Sequence, residues 1–471
     1  MTGIEAPADY KYVDCGLSGL DSLFVHIETP EHLMTIAGLY GFKQRVSIEA
    51  IQQQFELMVE RFPRFADRLD FKARGIPSKW VPDENFSMSN HVRETTLKAP
   101  KDPNTTFDEQ LFQVVADLQS TPFNFDHPLW EAVLIRASGS DQCALYIKIH
   151  HIIADGQGCI RTLLSLCKPA PGQSSTVAQY GGRSAQQRQS GRAARPNLLV
   201  RLWSAFLSLL WMIVSFFIVM RKLNAISWYR RRGLRGRDTA HKHLAWTREI
   251  RVDEVKAVKD HFGVTLNDVL MACLAGALSD YFAKHEPDLR LEEMLAAIPV
   301  SMRRLDDWSL GNKVSVACLW LPSDLSPRVG DPVQRLREVH RRMNELKRSV
   351  EPPISYGWLS FAGKFPWASS PWFVKRLRSC VHKPHTVFTN VPGPMIQLEF
   401  AGAPMTSYVA FAPQSGGCGL GMAILTYHGQ VALSVLSDRA VVPGVNVPKE
   451  ITASFVERFR EYQNLVEKKS K

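Results

Sequence analysis

Apolar positions recur with two different periods along this 471-residue chain, and the changes of period divide it into elements. Ile48, Ile51, Phe55 and Met58 to Val59 follow helical spacing, with Ser47 placed as an N-cap and Pro63 just past the end. Phe107 to Leu118 predicts a second helix, and Glu131 to Ile135 and Ala144 to Ile149 predict short strands. These elements form an α/β unit ending near Leu166. The pattern vanishes from Pro169 to Pro196, a stretch rich in Gln, Ser, Gly, Ala and Arg that cannot bury enough apolar surface to fold. It resumes near Trp246, where Thr247-Arg248-Glu249-Ile250-Arg251-Val252 alternates like a strand. Val264 to Phe282 predicts a helix, Leu295 to Val300 and Val314 to Leu321 strands, and Val333 to Val350 a charged amphipathic helix. Gly421 to Leu425 and Gln430 to Val435 predict a hairpin turning at Tyr427-His428-Gly429. The expected organisation is an N-terminal domain over 1–168, a basic linker over 169–197, a membrane-associated helix over 198–222, a second basic linker over 223–245 and a C-terminal domain over 246–471.

The helix assigned between the linkers rests on Leu202 to Met220, nineteen residues without a charge. Three readings fit: a helix lying in one leaflet, a span, and a helix packed against protein. Basic residues flank both ends (Arg183, Arg188, Arg192 and Arg195 before, Arg221, Lys222 and Arg230 to Arg232 after), so neither orientation is favoured. A span would also place the two domains on opposite sides of the bilayer. Arg201, Ser204, Ser208, Ser215 and Lys222 fall within about 60° of one helical face, a narrow polar stripe that favours the first reading.

Charge sharpens this picture. The formal net charge is +11, yet residues 156–237 hold fourteen Lys or Arg and no Asp or Glu, leaving the remainder at −3. Basic residues around an apolar stretch suit an anionic membrane surface, and no zinc-finger spacing, aromatic RNA-binding motif or basic zipper points to nucleic acid. The eight cysteines are scattered without C-x-x-C pairs, which fits reduced thiols facing a reducing cytosol. No basic start followed by an apolar run marks a signal peptide in the first residues.

The chemistry concentrates in His150-His151-Ile152-Ile153-Ala154-Asp155-Gly156, where a strand ends and a helix begins. Adjacent strand residues face opposite ways, so the two histidines are poorly placed to share a metal ion, and none is expected. A histidine base can take a hydroxyl proton as its oxygen attacks an activated acyl group and can return it to the leaving group. An Asp four residues on fixes the loop or an imidazole tautomer, and Gly allows a tight turn or close approach. Cys159 reads as a core thiol. The Gly416-Gly417-Cys418-Gly419-Leu420-Gly421 run leads into a strand, so it is no phosphate cradle, and no G-x-S-x-G elbow marks a serine hydrolase.

The segment resembles the HHxxxDG motif of the CoA-dependent acyltransferase superfamily, which includes chloramphenicol acetyltransferase, plant BAHD enzymes and peptide-synthetase condensation domains. Further segments are similar to the bacterial and plant wax ester synthase/diacylglycerol acyltransferase family: Leu17-Ser18 with Asp21, Pro128-Leu129-Trp130, Asn267-Asp268, Pro299-Val300-Ser301-Met302-Arg303, Gly311-Asn312, and Thr389-Asn390-Val391-Pro392-Gly393-Pro394. They span nearly the whole chain, and the DFGWG segment of BAHD enzymes is absent. The resemblance implies two chloramphenicol-acetyltransferase-like α/β domains, each a mixed sheet with flanking helices, and an active-site channel between them. It implies direct transfer without an acyl-enzyme, with His151 as general base, Asp155 organising the loop and Asn267 a candidate for positioning the reacting groups. His150 is expected to support the loop, Gly156 to turn it and Asp268 to order its helix start. Pro128-Leu129-Trp130 is expected to pack. Arg303 has three readings: pairing with Asp155, meeting CoA phosphates, or a solvated or structural side chain.

The expected activity is transfer of a fatty acyl group from acyl-CoA to a long-chain alcohol or diacylglycerol at a membrane or lipid-droplet surface, with the site facing the cytosol. Acyl-CoA is a substrate, so no cofactor is expected, and no nucleic-acid partner. The alternatives are a same-fold acyltransferase for a soluble alcohol or polyketide, and an inactive lipid-binding membrane protein.

Overall fold

The computed structural model describes residues 16–72, 76–173, 233–234, 239–304, 307–365, 370–413 and 418–470, together with 214, 217 and 221. The expected membrane helix lies outside the described residues apart from Val214, Phe217 and Arg221, which are helical and exposed. Most of both linkers lies outside them too. Among the described residues no single helix is long and apolar enough to cross a membrane.

The N-terminal half contributes strands β1 (Thr35–Phe42), β2 (Asp67–Lys72), β3 (Ile76–Pro82), β4 (Val92–Thr96), β5 (Trp130–Arg136), β6 (Cys143–His150) and β7 (Lys168–Pro169). The C-terminal half contributes β8 (Lys242–Arg251), β9 (Glu293–Ser301), β10 (Val314–Pro322), β11 (Thr386–Val391), β12 (Leu398–Phe400), β13 (Ala403–Phe411), β14 (Leu420–Tyr427) and β15 (Gln430–Asp438). The first sheet has the order β4-β5-β6-β1-β13-β12-β7, the second β10-β9-β11-β14-β15-β8, and β2-β3 stand apart as a ribbon. Both large sheets are mixed: β4 runs parallel to β5, and β11 parallel to β14 and β9, against otherwise antiparallel neighbours.

The predicted elements sit where their periodicity put them. Ser47 caps the Ile48–Arg61 helix by accepting from Ala50 N, and that helix buries Ile51, Phe55 and Met58 on the first sheet. The Phe107–Ser120 helix starts at a Thr106/Glu109 capping box. Leu266–His285 is apolar on every side, because it is buried between the second sheet and the Val447–Ser470 helix. His428 and Gly429 both take positive φ, 46° and 76°, which is what a two-residue hairpin turn with right-handed strand twist requires. Trp130 packs as expected, its indole Nε1 donating to Phe65 O at 2.7 Å.

Two domain boundaries differ from the sequence reading. The second sheet begins at Lys242 rather than 246, because the Lys242 ammonium is buried in an ion pair with Asp438 at 2.9 Å and so tolerates a strand interior. Residues 398–411 belong to the first sheet, where β13 pairs antiparallel with β1, Gly38 opposite Ala410. The C-terminal half thus completes the N-terminal sheet, and a shared core of Leu111, Val115, Trp246, Val409 and Leu436 joins the two.

Without β13 the N-terminal half keeps β1 as an open, apolar edge. Residues 16–173 expressed alone are expected to aggregate, and co-expression with residues 233–471 to restore a soluble one-to-one complex, as read by size-exclusion chromatography.

Candidate active site

All eight residues of β6 are buried, so the strand delivers its last residue, His150, into protein and His151 into the turn beyond. His150 is fully enclosed: Nε2–H donates to Glu28 Oε2 at 2.8 Å, and Nδ1 accepts from Ile152 N at 3.0 Å. Both its nitrogens are therefore committed to holding the loop. The same Glu28 oxygen accepts from Met34 N, and Met34 O accepts from His151 N at 2.7 Å, so the two histidines hang from one backbone frame.

His151 has different partners. Its ring stacks on Phe24, with centroids 4.3 Å apart, and Nδ1 lies 2.7 Å from Asn312 Oδ1. The orientation of that amide follows from its other side. Asn312 Nδ2 donates to Asp21 Oδ1 at 2.7 Å and to His151 O at 2.6 Å, so Oδ1 must face the imidazole and accept from it. The proton then sits on Nδ1 and the lone pair on Nε2. Asp21 is held by its place in the Gly19–Ile27 helix, where it forms a capping box with Ser18 and also accepts from Asn312 N at 2.9 Å. Burial pushes the Asp21 carboxyl up, while the Asn312 and Ser18 donors and Arg64 pull it down. Burial also lowers the His151 pKa from its ordinary value, against the opposing pull of the Asp155 charge and the Asn312 hydrogen bond.

Asp155 caps the Gly156–Leu164 helix, Oδ1 accepting from Gly158 N at 2.8 Å. Its Oδ2 accepts from Arg303 Nη2 and from Lys313 N, each at 2.8 Å. Of the three readings of Arg303, pairing with Asp155 is the one observed, with side chains 1% and 5% exposed. Ala154 and Gly311 form a parallel bridge alongside, closed by Gly311 N donating to Ile153 O at 2.8 Å. The motif loop is thereby laced to the segment 303–313 of the other half.

Gly156 does not turn the loop. It is the first residue of the helix, the chain reversal being complete at Asp155, and a Cβ there would meet no protein atom within 4 Å. It opens instead onto a cavity of about 270 Å³ between the two sheets, which His151 and Asp155 also line. The remaining wall is almost wholly apolar, with Phe24, Ile149, Leu163, Val316, Leu359 and Phe411 drawn from both halves. The hydroxyl of Ser355 is buried in it without a hydrogen-bond partner. Cys159 lines it as well, but burial pushes its thiol far above the usual range, which removes it as a nucleophile. A larger open groove of about 630 Å³, near Lys43, Arg248 and Lys449, contains no motif residue.

Asn267 is not brought to this cavity. Its Oδ1 accepts from Asn390 Nδ2 at 2.7 Å, and on β11 Val387, Thr389 and Val391 face the cavity while Asn390 faces the opposite side of the sheet. Asp268 orders the helix start through a Thr265 capping box, as expected. The site residues that sequence reasoning passed over are Asn312, Asp21 and Phe24. The pairs Gly311-Asn312 and Ser18 with Asp21 were their only signal, and 291 residues separate Asp21 from Asn312.

Replacing one member of a buried ion pair leaves the other charged and unsolvated. Asp155→Ala is expected to destabilise the fold by about 3–5 kcal/mol, read as a lowered urea midpoint.

Comparisons with known proteins agree with this geometry. Residues 17–270 match the wax ester synthase/diacylglycerol acyltransferase catalytic domain, and residues 310–463 the C-terminal domain of the same family. A putative diacylglycerol O-acyltransferase of Mycobacterium tuberculosis is 26% identical over 445 residues, covering 91% of this chain and 86% of that protein. A probable diacylglycerol O-acyltransferase of the same species is 26% identical over 393 residues, 80% of this chain and 81% of its own. Among solved structures, a wax ester synthase/diacylglycerol acyltransferase from Marinobacter aquaeolei superposes with a TM-score of 0.63 at 21% identity, covering 96% of this chain and 100% of that one. The first condensation domain of the calcium-dependent antibiotic synthetase superposes at 0.60 with 13% identity, covering 97% of both chains. This is the two-domain fold of the chloramphenicol-acetyltransferase type that the motif implied. The chain belongs to the wax ester synthase/diacylglycerol acyltransferase family and is an acyl-CoA-dependent O-acyltransferase.

Proposed function

We propose that His151 is the general base of this enzyme and that the acceptor is lipophilic, a long-chain alcohol or diacylglycerol. The observation that carries the reading is an imidazole whose pKa burial lowers, hydrogen-bonded through Nδ1 to Asn312, in the wall of an apolar cavity. Nε2 takes the proton of the acceptor hydroxyl as its oxygen attacks the thioester carbonyl. When the tetrahedral intermediate collapses, the carbon–sulfur bond breaks and the imidazolium returns the proton to the departing CoA thiolate. The ester and free CoA result. The thioester is already activated, so the reaction draws on no metal or organic cofactor.

The apolar wall supports the choice of acceptor. A soluble polyol would surrender hydrogen bonds to water on entering and recover few, whereas an alkyl chain gains by the same transfer. A diacylglycerol or long alcohol resides in a bilayer or lipid droplet while acyl-CoA arrives from the cytosol, so the enzyme works at that interface with its site on the cytosolic side. In this reading His150 holds the loop, Asp155 locks it to Arg303, and Gly156 leaves room for the substrate. Asn267 acts only as a brace between its helix and β11.

CoA release with hexadecanol against diacylglycerol tests the proposal. His151→Ala is expected to lower turnover by roughly 10² to 10⁴-fold, and near-normal turnover would end it. Asn312→Leu frees the imidazole to take the other tautomer and is expected to lower kcat by on the order of tenfold or more with little change in KM. A base must be unprotonated, and the His151 pKa is lowered, so the acidic limb of kcat/KM is expected below the ordinary histidine value of about 6.5. A limb above it would count against His151 as the titrating group.

A further inference from the structure

The helices Glu351–Ala362 and Pro371–Val381 have two apolar faces. Inward, Ser355 and Leu359 of the first and Leu377 and Cys380 of the second line the catalytic cavity, while Trp358 and Phe373 pack on Leu20 and Leu23. The outward face of the first helix carries Pro353, Gly357 and Phe361 at four-residue intervals, all exposed, and Phe365 continues the stripe. The Phe361 and Phe365 rings meet edge to face at 5.0 Å. On the second helix Trp372 is 71% exposed, with Lys375 exposed one turn on. A helix apolar all round is normally covered, and one that only faces water carries polar residues there.

Charge indicates what covers this face. Apart from Glu351 at the start of the first helix, the chain from there to Leu398 has five Lys or Arg and no other Asp or Glu. Arg378 is spent on the backbone, donating to His26 O and Glu28 O, but Lys364 and Lys375 stand exposed beside the aromatic side chains. Exposed Trp and Phe next to lysines match the headgroup boundary of an anionic bilayer, where aromatic rings sit at the interface and ammonium groups meet phosphates.

We infer that Phe361, Phe365 and Trp372 insert into the interface of an anionic membrane, with Lys364 and Lys375 on its headgroups, so that these two helices form the door through which a lipid acceptor passes from bilayer to cavity. The inference rests on the lipophilic acceptor proposed above. It places the docking surface on the C-terminal half, apart from the apolar stretch Leu202 to Met220. None of the five side chains belongs to the catalytic machinery.

The test uses the full chain with vesicles of phosphatidylcholine, alone or mixed with phosphatidylglycerol. The triple variant F361S/F365S/W372S and the pair K364E/K375E are each expected to lower binding to the anionic vesicles by about tenfold or more. Turnover of vesicle-embedded diacylglycerol falls with it, while CoA release with a water-dispersed alcohol and the unfolding temperature hold. Unchanged vesicle binding overturns the inference. So does a lowered unfolding temperature, which means that another segment of the chain covers the aromatic side chains, or a dimer that the triple variant dissolves. Absence of CoA release by the unaltered enzyme with every acceptor counts against the function proposed above, and vesicle binding by the variants then still decides for or against the surface.

Discussion

The Asp155 carboxylate has to be satisfied from both halves of the chain. It accepts from Gly158 N at the start of its own helix, and from the Arg303 guanidinium and Lys313 N, which lie about a third of the sequence away. A buried carboxylate costs several kcal/mol unless its lone pairs are filled, so the motif loop reaches its geometry only when the segment 303–313 has docked. The neighbouring bridge between Ala154 and Gly311 belongs to the same joint. His151 lies four residues upstream, within that joint, and takes its rigidity from it. The two halves are thus joined by charge and hydrogen bonding at the motif loop and by a shared apolar core.

Two demands on His151 oppose each other, and the surroundings balance them. Burial favours the neutral ring, which suits the role of base proposed for it, but it also penalises the imidazolium which that role would require. The Asp155 charge and the Asn312 hydrogen bond act in the other direction. Asn312 does so without bringing a charge, since its amide is itself oriented by Asp21. The net effect leaves the His151 pKa below its ordinary value, with the opposing contacts limiting the penalty on the protonated ring. The Phe24 ring covers one face of the imidazole and so fixes its plane, while Asn312 fixes its tautomer.

What could be read in the sequence was local. Ser47, Thr106, Thr265 and Asp155 start helices through contacts three residues away, and the His428-Gly429 turn needs only its own two residues. The pair His150-His151 at a strand end showed where the chemistry lies for the same reason. Asn312 and Asp21 were visible only as members of short motifs, because their pairing depends on folding distant segments together. The surroundings of Asn267 were hidden for a related cause: its position on a helix is local, whereas its hydrogen bond to Asn390 of β11 is tertiary. Gly156 was read as a backbone device, whereas the structure places it as the first residue of a helix with open space at its Cβ position beside the cavity. The Lys242 start of β8 was hidden because a lysine and a histidine do not look like strand interior until Asp438 neutralises one of them.

The exchange of β13 into the first sheet also has a consequence in time. The edge of β1 is made by residues 35–42 and closed by residues 403–411. At a synthesis rate of about 5–20 residues per second, the ribosome takes roughly 20 to 70 seconds to supply the closing strand. Throughout that interval the edge of β1 that β13 covers in the finished fold lacks its partner. The yield of this enzyme in a host is therefore expected to depend on how long that edge stays unpaired as well as on the stability of the finished fold.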